Sequence, residues 1–254
     1  MARLVFLGTG TSTGVPMIGC RCPVCASGDP RDKRLRASVL FEADSVRVVV
    51  DATPELRLQC LRANLDHLDA VFLTHEHADH IAGLDDLRGF TFERDAPLPV
   101  YGDPKTLAYI RKRFDYVFGP PYVAGNLPRI ELVEIHGPVR VGPLLFEPLP
   151  VFHGPLPVLA FRVGGLAYLT DVSRVPEETL TRLAGLDVLV VDAVRVTPHP
   201  THFSLKEALA LIARLRPGKA FLTHINHEIS HARHSRELPE GVRIAYDGLA
   251  VEFE

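Results

Sequence analysis

Apolar residues along this chain gather in short runs that either alternate with polar ones or fill every position, the pattern of strands rather than helices. Such runs stand at RLVFLG (3–8), SVLFEA (38–43), VRVVVD (46–51), AVFLT (70–74), LPVYG (98–102) and RIELVEI (129–135). Further runs follow at LLFEPLPV (144–151), LAYLT (166–170), DVLVVDA (187–193), KAFLT (219–223) and VRIAYDGLAVEF (242–253). Between them the apolar spacing turns helical over 54–64, 79–88, 104–113, 175–184 and 204–215. Strands alternating with helices predict an α/β protein, and the hairpin-like pair across 38–51 predicts sheets of mixed direction. No internal repeat and no linker rich in Gly, Ser or charge interrupts the pattern, so residues 1–254 read as a single domain.

Composition narrows the classes. The chain is 46% hydrophobic and 23% charged, with a formal net charge of −3. That balance suits a globular protein with a sizeable core and argues against general nucleic-acid binding, which needs a basic surface. Two basic runs, RDKRLR (31–36) and RKR (111–113), read as solvated surface. No apolar stretch reaches the roughly 18 residues of a membrane span. The opening MARLVFLGTGTST lacks a small-residue cleavage site and reads as a first strand, not a signal peptide. A cytoplasmic location follows as an expectation, and there clustered cysteines favour metal or redox chemistry over structural disulfides. The loop GTGTSTG (8–14) has Thr13 where a dinucleotide fingerprint needs glycine, and no phosphate-loop Gly-Lys-Ser/Thr is present. It reads as a turn.

Candidate chemistry concentrates in THEHADH (74–80), between an apolar run and a helical pattern. In an extended exit from the strand, His75 and His77 point the same way, and Asp79 and His80 follow at the start of the helix. Four such side chains in one loop suit zinc, manganese or iron, and two pairs suit two metals better than one. Further donors are sought directly after apolar runs. His153 follows LPVF, Asp171 follows LAYLT and His224 follows KAFLT, each at a strand's carboxyl end where α/β sheets present their sites. Asp51 and Asp192 also end strands, and they read either as partners that orient ligand imidazoles or as plain turn residues.

This arrangement resembles the metallo-β-lactamase superfamily, whose HxHxDH motif matches His75, His77, Asp79 and His80. The remaining family ligands match His153, Asp171 and His224 in order. The resemblance implies a four-layer αββα sandwich with its site at the edge of two sheets. It also implies that His75, His77 and His153 hold one metal, that Asp79, His80 and His224 hold the other, and that Asp171 bridges. Two such divalent metals, manganese or zinc, would lower the pKa of a shared water and generate the attacking hydroxide. Asp79 is a candidate acceptor for the water proton.

Cys20, Cys22 and Cys25 have the close spacing of thiolate ligands, and a tetrahedral zinc needs one more donor. His227, three residues after His224, offers it, which would make a closed structural zinc site; a redox pair or buried thiols are the alternatives. Cys60 reads as a helix thiol facing the core. GVPMIGCRCPVC together with LTHINH resembles the PhnP-type phosphodiesterases, which open a cyclic phosphate, and His202 in PTHFSLKEAL matches the histidine of that subfamily near the site. His202 would then contact phosphate or act as the acid, with His199 a weaker substitute. A helix-entry histidine is the bland alternative.

Other readings compete. A tRNA 3′-processing nuclease needs an RNA-gripping extension, for which 114–128 is short and uncharged. Glyoxalase-type thioester hydrolysis does not explain the cysteines. A pyrroloquinoline-quinone biosynthesis B-like protein and a non-catalytic zinc-stabilised binding module remain. The expected partner is a small phosphodiester, with no membrane, nucleic acid disfavoured and a homodimer the default guess. Phe90, Phe92, Phe114, Tyr116, Phe118 and Tyr122 lie between the ligand segments, where core packing or a pocket would use them.

Overall fold

The structure is a computed structural model that describes residues 1–92, 94–119 and 127–254. Its first sheet starts with β1 (Ala2–Gly8), β2 (Ser38–Ala43), β3 (Val46–Val50), β4 (Ala70–Phe72), β5 (Leu98–Gly102) and β6 (Ile130–Glu134). β7 (Val139–Val141), β8 (Leu144–His153), β9 (Leu156–Val163), β10 (Leu166–Leu169), β11 (Val188–Asp192), β12 (Lys219–Thr223) and β13 (Val242–Ile244) form the second. β14 (Ala250–Phe253) then returns to the first sheet, whose order is β14-β1-β2-β3-β4-β5-β6; the second runs β13-β12-β11-β10-β9-β8-β7. β14 lies antiparallel to β1 with Ala2 opposite Phe253. Helices α1 (Leu56–Arg62), α2 (Ala78–Ile81), α3 (Pro104–Arg113), α4 (Asp115–Phe118), α5 (Glu177–Arg182), α6 (Leu205–Leu215) and α7 (His231–His234) complete the fold.

The period of two in the strands sorts side chains into layers. On β2 to β4, Val39, Phe41, Val48, Val50 and Phe72 face the second sheet, while Leu40, Val49 and Val71 face α1 and α3. Between the sheets Phe72 stacks on Phe146 at 4.2 Å and on Tyr101 at 4.7 Å. The outer face of the second sheet packs Leu169, Leu189 and Val191 against Leu180 of α5 and Ala208, Leu211 and Ile212 of α6. The result is a four-layer αββα sandwich, the architecture that the resemblance implies. Local signals set the helix ends: Asp103 caps α3 ahead of Pro104, and Ser204 with Glu207 forms a capping box on α6.

Several sequence expectations change. The helix read over 79–88 breaks after α2 into a 3-10 helix, Leu84–Phe90. Gly83 explains the break. Its N–H donates to Ala52 O at 2.9 Å, and a Cβ there would sit 1.9 Å from Thr53 O. The run 242–253 is two strands in different sheets, parted at Gly248, which takes φ +89° and donates to Phe6 O at 2.8 Å. β7 and β9 have no counterpart among the predicted strands; β9 carries Pro157 and Arg162, which interrupt its apolar run. The run 31–36 is not all solvated. Arg34 is buried, donating to Thr9 Oγ1 at 2.9 Å and Ala245 O at 2.6 Å, and so ties the N-terminal loop to the end of β13. Residues 111–113 are exposed as read.

Cys60 is buried on α1, where burial pushes its thiol up to about 12. Phe114 is buried in the core, Phe90, Tyr116 and Phe118 pack against it, Phe92 is exposed, and Tyr122 lies outside the described residues. Among the described residues no helix is long and apolar enough to cross a membrane.

Candidate metal centre

β3, β4 and β5 run parallel, as do β10, β11 and β12, so their carboxyl ends meet at one rim. Three of the residues there share a local signature: Leu-Thr precedes His75, Asp171 and His224, with each Thr fully buried. Asp51, Asp171 and His224 take left-handed φ of 69°, 53° and 57° just past their strands. Such backbone costs non-glycine residues energy and persists where the surroundings enforce it. Here it turns three functional side chains into the rim.

The structure brings the sequence candidates together in separate groups. Ligand atoms of His75, His77 and His153 lie within 4.8 Å of one another, as do those of Asp79, His80, Asp171 and His224. The rings of His77 and His75 are 4.5 Å apart and those of His77 and His153 5.2 Å. Asp171 Oδ2 is 3.1 Å from His80 Nε2 and 3.3 Å from His224 Nε2.

Hydrogen bonds commit one nitrogen of three rings. His80 Nδ1 donates to Asp51 at 2.7 Å, His75 Nδ1 to Thr74 Oγ1 at 3.0 Å, and His153 Nδ1 to Thr201 O at 2.7 Å. Nε2 is thereby left as the ligating atom in each. Nε2 of His75 and His80 and both ring nitrogens of His224 are buried without a hydrogen-bond partner. Buried imidazole nitrogens converging on carboxylates, and satisfied by nothing else, fit divalent cations such as zinc.

Electrostatics agree. Burial opposes a charge on His80, but Asp171, Asp79 and Asp51 outweigh it and hold the ring well above its ordinary range. Burial opposes a charge on His224 too, yet Asp171 and its neighbours push that ring up to about 9. Against burial, His80 and His224 keep Asp79 well below the usual carboxylate range, and His224 and His80 do the same for Asp171. His75 and His153 go the other way, lowered mainly by burial, His153 to about 4.

Asp51 and Asp192 hold different partners. Asp51 takes the Thr74 N–H at 2.8 Å and the Thr74 hydroxyl, besides His80. Asp192, which the sequence leaves open between an orienting partner and a turn residue, binds His202 Nδ1 through Oδ2 at 2.7 Å, while His224 Nδ1 stays 3.9 Å from Oδ1. The reason is that the loop before α6 folds back over the end of β11. Val194 N donates to Phe203 O at 3.0 Å and Phe203 N to Val172 O at 2.6 Å. His202 therefore lies flat on His224, ring centres 4.8 Å apart, and edge-on to His153 at 4.5 Å.

Cys20, Cys22, Cys25 and His227 form a further group, with Cys20 Sγ 3.2 Å and Cys22 Sγ 3.4 Å from His227 Nδ1. The three cysteines are free of disulfides. The Cys25 backbone N–H lowers Cys22 to about 6, whereas burial raises Cys25 to about 11. The glycine loop holds the same segment: Thr11 N donates to Ile225 O at 3.1 Å and Ile225 N to Thr9 O at 2.8 Å. Thr74, Thr201 and Thr9 were absent from the sequence candidates; the repeated Leu-Thr before ligands was the available signal for Thr74, and nothing marked the other two.

Fold and site together define a protein of the β-lactamase superfamily whose rim gathers side chains fit for divalent metals. A family model described as the β-lactamase superfamily domain matches residues 46–225, and the chain belongs to that family. A solved structure of a new diphosphatase from the PhnP family superposes with a TM-score of 0.94 at 41% identity, covering 100% of this chain and 98% of that one. Zinc-bound PqqB from Methylobacterium extorquens shares the fold, with a TM-score of 0.78 at 23% identity over 99% of this chain and 100% of that one. A Porphyromonas gingivalis protein named octanoyltransferase is 40% identical over 97% of this chain, which spans only 51% of that protein's length.

Proposed function

We propose that the chain hydrolyses small phosphodiesters, opening a cyclic phosphate or cleaving a similar P–O bond, with two divalent cations. The observation that carries this reading is the contact of His202, anchored on Asp192, with the rings of both His153 and His224. One further imidazole at the seam of two ligand groups suits a reaction in which a leaving oxygen must gain a proton. Likeness to the PhnP-family diphosphatase supports the phosphorus chemistry. His75, His77 and His153 would hold one cation and Asp79, His80 and His224 the other, with Asp171 shared. Bound there, manganese or zinc supplies Lewis-acid charge and lowers the pKa of a water toward neutrality.

The rest is done by side chains. Asp79, an anionic ligand in the resting site, is the candidate that would take up a water proton transiently during turnover. His202 donates Nδ1–H to Asp192, which fixes the ring; in its doubly protonated form the ring gives the Nε2 proton to the departing oxygen and is left as the neutral Nδ1–H tautomer. A zinc on Cys20, Cys22, Cys25 and His227 would lock the segment that carries His224. The test is a panel of cyclic and linear phosphodiesters, diphosphate esters, thioesters and lactams, each with manganese and with zinc. The reading expects turnover of phosphorus esters, lowered about a hundredfold or more by His202→Ala at unchanged metal content. Thioester or lactam hydrolysis with phosphorus esters untouched would overturn it.

A further inference from the structure

The loop TPHPTHFS (197–204) carries two histidines, and the proposed chemistry uses only His202. His199 stands between Pro198 and Pro200, whose rings fix their own φ and restrict the residue before each. Arg195 braces this segment, its Nε donating to Thr197 O at 3.1 Å and its Nη2 to Pro198 O at 2.5 Å. From below, His153 holds Thr201 O, and Gly154 packs so closely that a Cβ would lie 2.8 Å from Thr201 Cγ2. His199 is thus mounted on a rigid support.

Its tautomer is set as well. The Thr201 backbone N–H donates to His199 Nδ1 at 3.3 Å, so Nδ1 carries the lone pair and Nε2 the proton. No described residue accepts from that Nε2–H. Three rings step outward from the centre: buried His224, then His202 at 4.8 Å, then half-buried His199 another 5.0 Å on. An oxygen contacted by His202 therefore has, one group further out, a fixed and unused donor.

We propose that His199 is a specificity-determining residue whose Nε2–H binds an oxygen of a second phosphoryl group joined to the reacting phosphorus. Diphosphate esters are then preferred over esters with a single phosphorus. This rests on the phosphoesterase reading. The 5.0 Å between the two ring centres exceeds the P–O–P span of a diphosphate, so each ring can meet a non-bridging oxygen on its own phosphorus. A neutral donor orients such an oxygen without holding the product as tightly as a fixed cation would.

The experiment compares metal-loaded wild type, His199→Ala and His199→Gln on ADP-ribose, a diphosphate diester, and on thymidine 5′-(4-nitrophenyl phosphate), a single-phosphorus diester. Metal content and melting temperature are measured alongside. For His199→Ala the ratio of kcat/KM, diphosphate over single phosphorus, should fall about tenfold or more, mostly through KM. His199→Gln, which places an amide N–H near the lost Nε2–H, should recover most of the ratio. Equal losses on both substrates would mean that His199 only braces the loop, and they would overturn the proposal, as would an unchanged ratio. Wild type that cleaves only the single-phosphorus ester, or neither ester while still opening a cyclic phosphate, overturns this proposal and leaves the broader reading standing; wild type that turns over no phosphorus ester, cyclic or linear, sinks the broader reading itself.

Discussion

Replacing Asp51 with asparagine tests the centre from outside the ligands. The native carboxylate is fully buried and accepts from Thr74 N at 2.8 Å, from the Thr74 hydroxyl, and from His80 Nδ1 at 2.7 Å. Asparagine tolerates the φ of 69° at this position, so the backbone is spared. Its amide keeps one acceptor oxygen, which the Thr74 N–H retains, and turns N–H₂ toward His80. His80 must then offer a lone pair at Nδ1, which moves its proton to Nε2, the nitrogen that faces Asp79 and Asp171. Loss of such an orienting partner costs about 10- to 100-fold in metal affinity, roughly 1.4 to 3 kcal/mol. The loss should fall on the Asp79–His80–His224 position and spare the one built from His75, His77 and His153. Zinc and manganese titrations against a chromogenic chelator, with metal per chain counted after dialysis, read this directly. Wild-type affinity at both positions in a folded Asp51→Asn protein would refute the argument that Asp51 sets the His80 tautomer.

Other outcomes follow from the same geometry. Cys22→Ser should remove about one zinc per chain and lower the melting temperature while the rim keeps its metals, as elemental analysis and calorimetry would show; simultaneous loss of all metal would contradict separate sites. In chelator-treated protein, His224 lies at about 9 when folded against 6.5 when unfolded. Its charge therefore stabilises the metal-free fold fully below pH 6.5, and that contribution, at most about 3 kcal/mol, is lost as pH rises through 9. Denaturant midpoints of the metal-free protein should fall across this window, and a flat profile would contradict the assignment. Metal-loaded protein should show the opposite trend, since ligation needs the neutral ring. Gly83→Ala has no room for its methyl against Thr53 O and should cost about 2 kcal/mol or more by chemical denaturation.

Legibility in the sequence was uneven for physical reasons. Residues 48–50 and 188–191 are continuous apolar runs because these strands are covered on both faces, and they stood out. Leu156–Val163 carries Pro157 and Arg162 and did not. The ligands were legible because each follows a strand, and a strand's end is where a parallel sheet exposes side chains. The Asp192 to His202 bond was not, since it depends on how a nine-residue intervening loop, 193–201, folds back. Arg34 looked like surface because its neighbours are charged; only the approach of Ala245 from the other end of the chain shows why it is buried.

The pairing of Ala2 with Phe253 has a practical side. β1 runs the same way as β3, so Ala2 and Phe253 both emerge at the foot of the sandwich, away from the rim where the histidines gather. A tag, a surface anchor or a second protein could be joined at either of these positions without shading the entrance. The same geometry makes this fold an easy module to splice beside another.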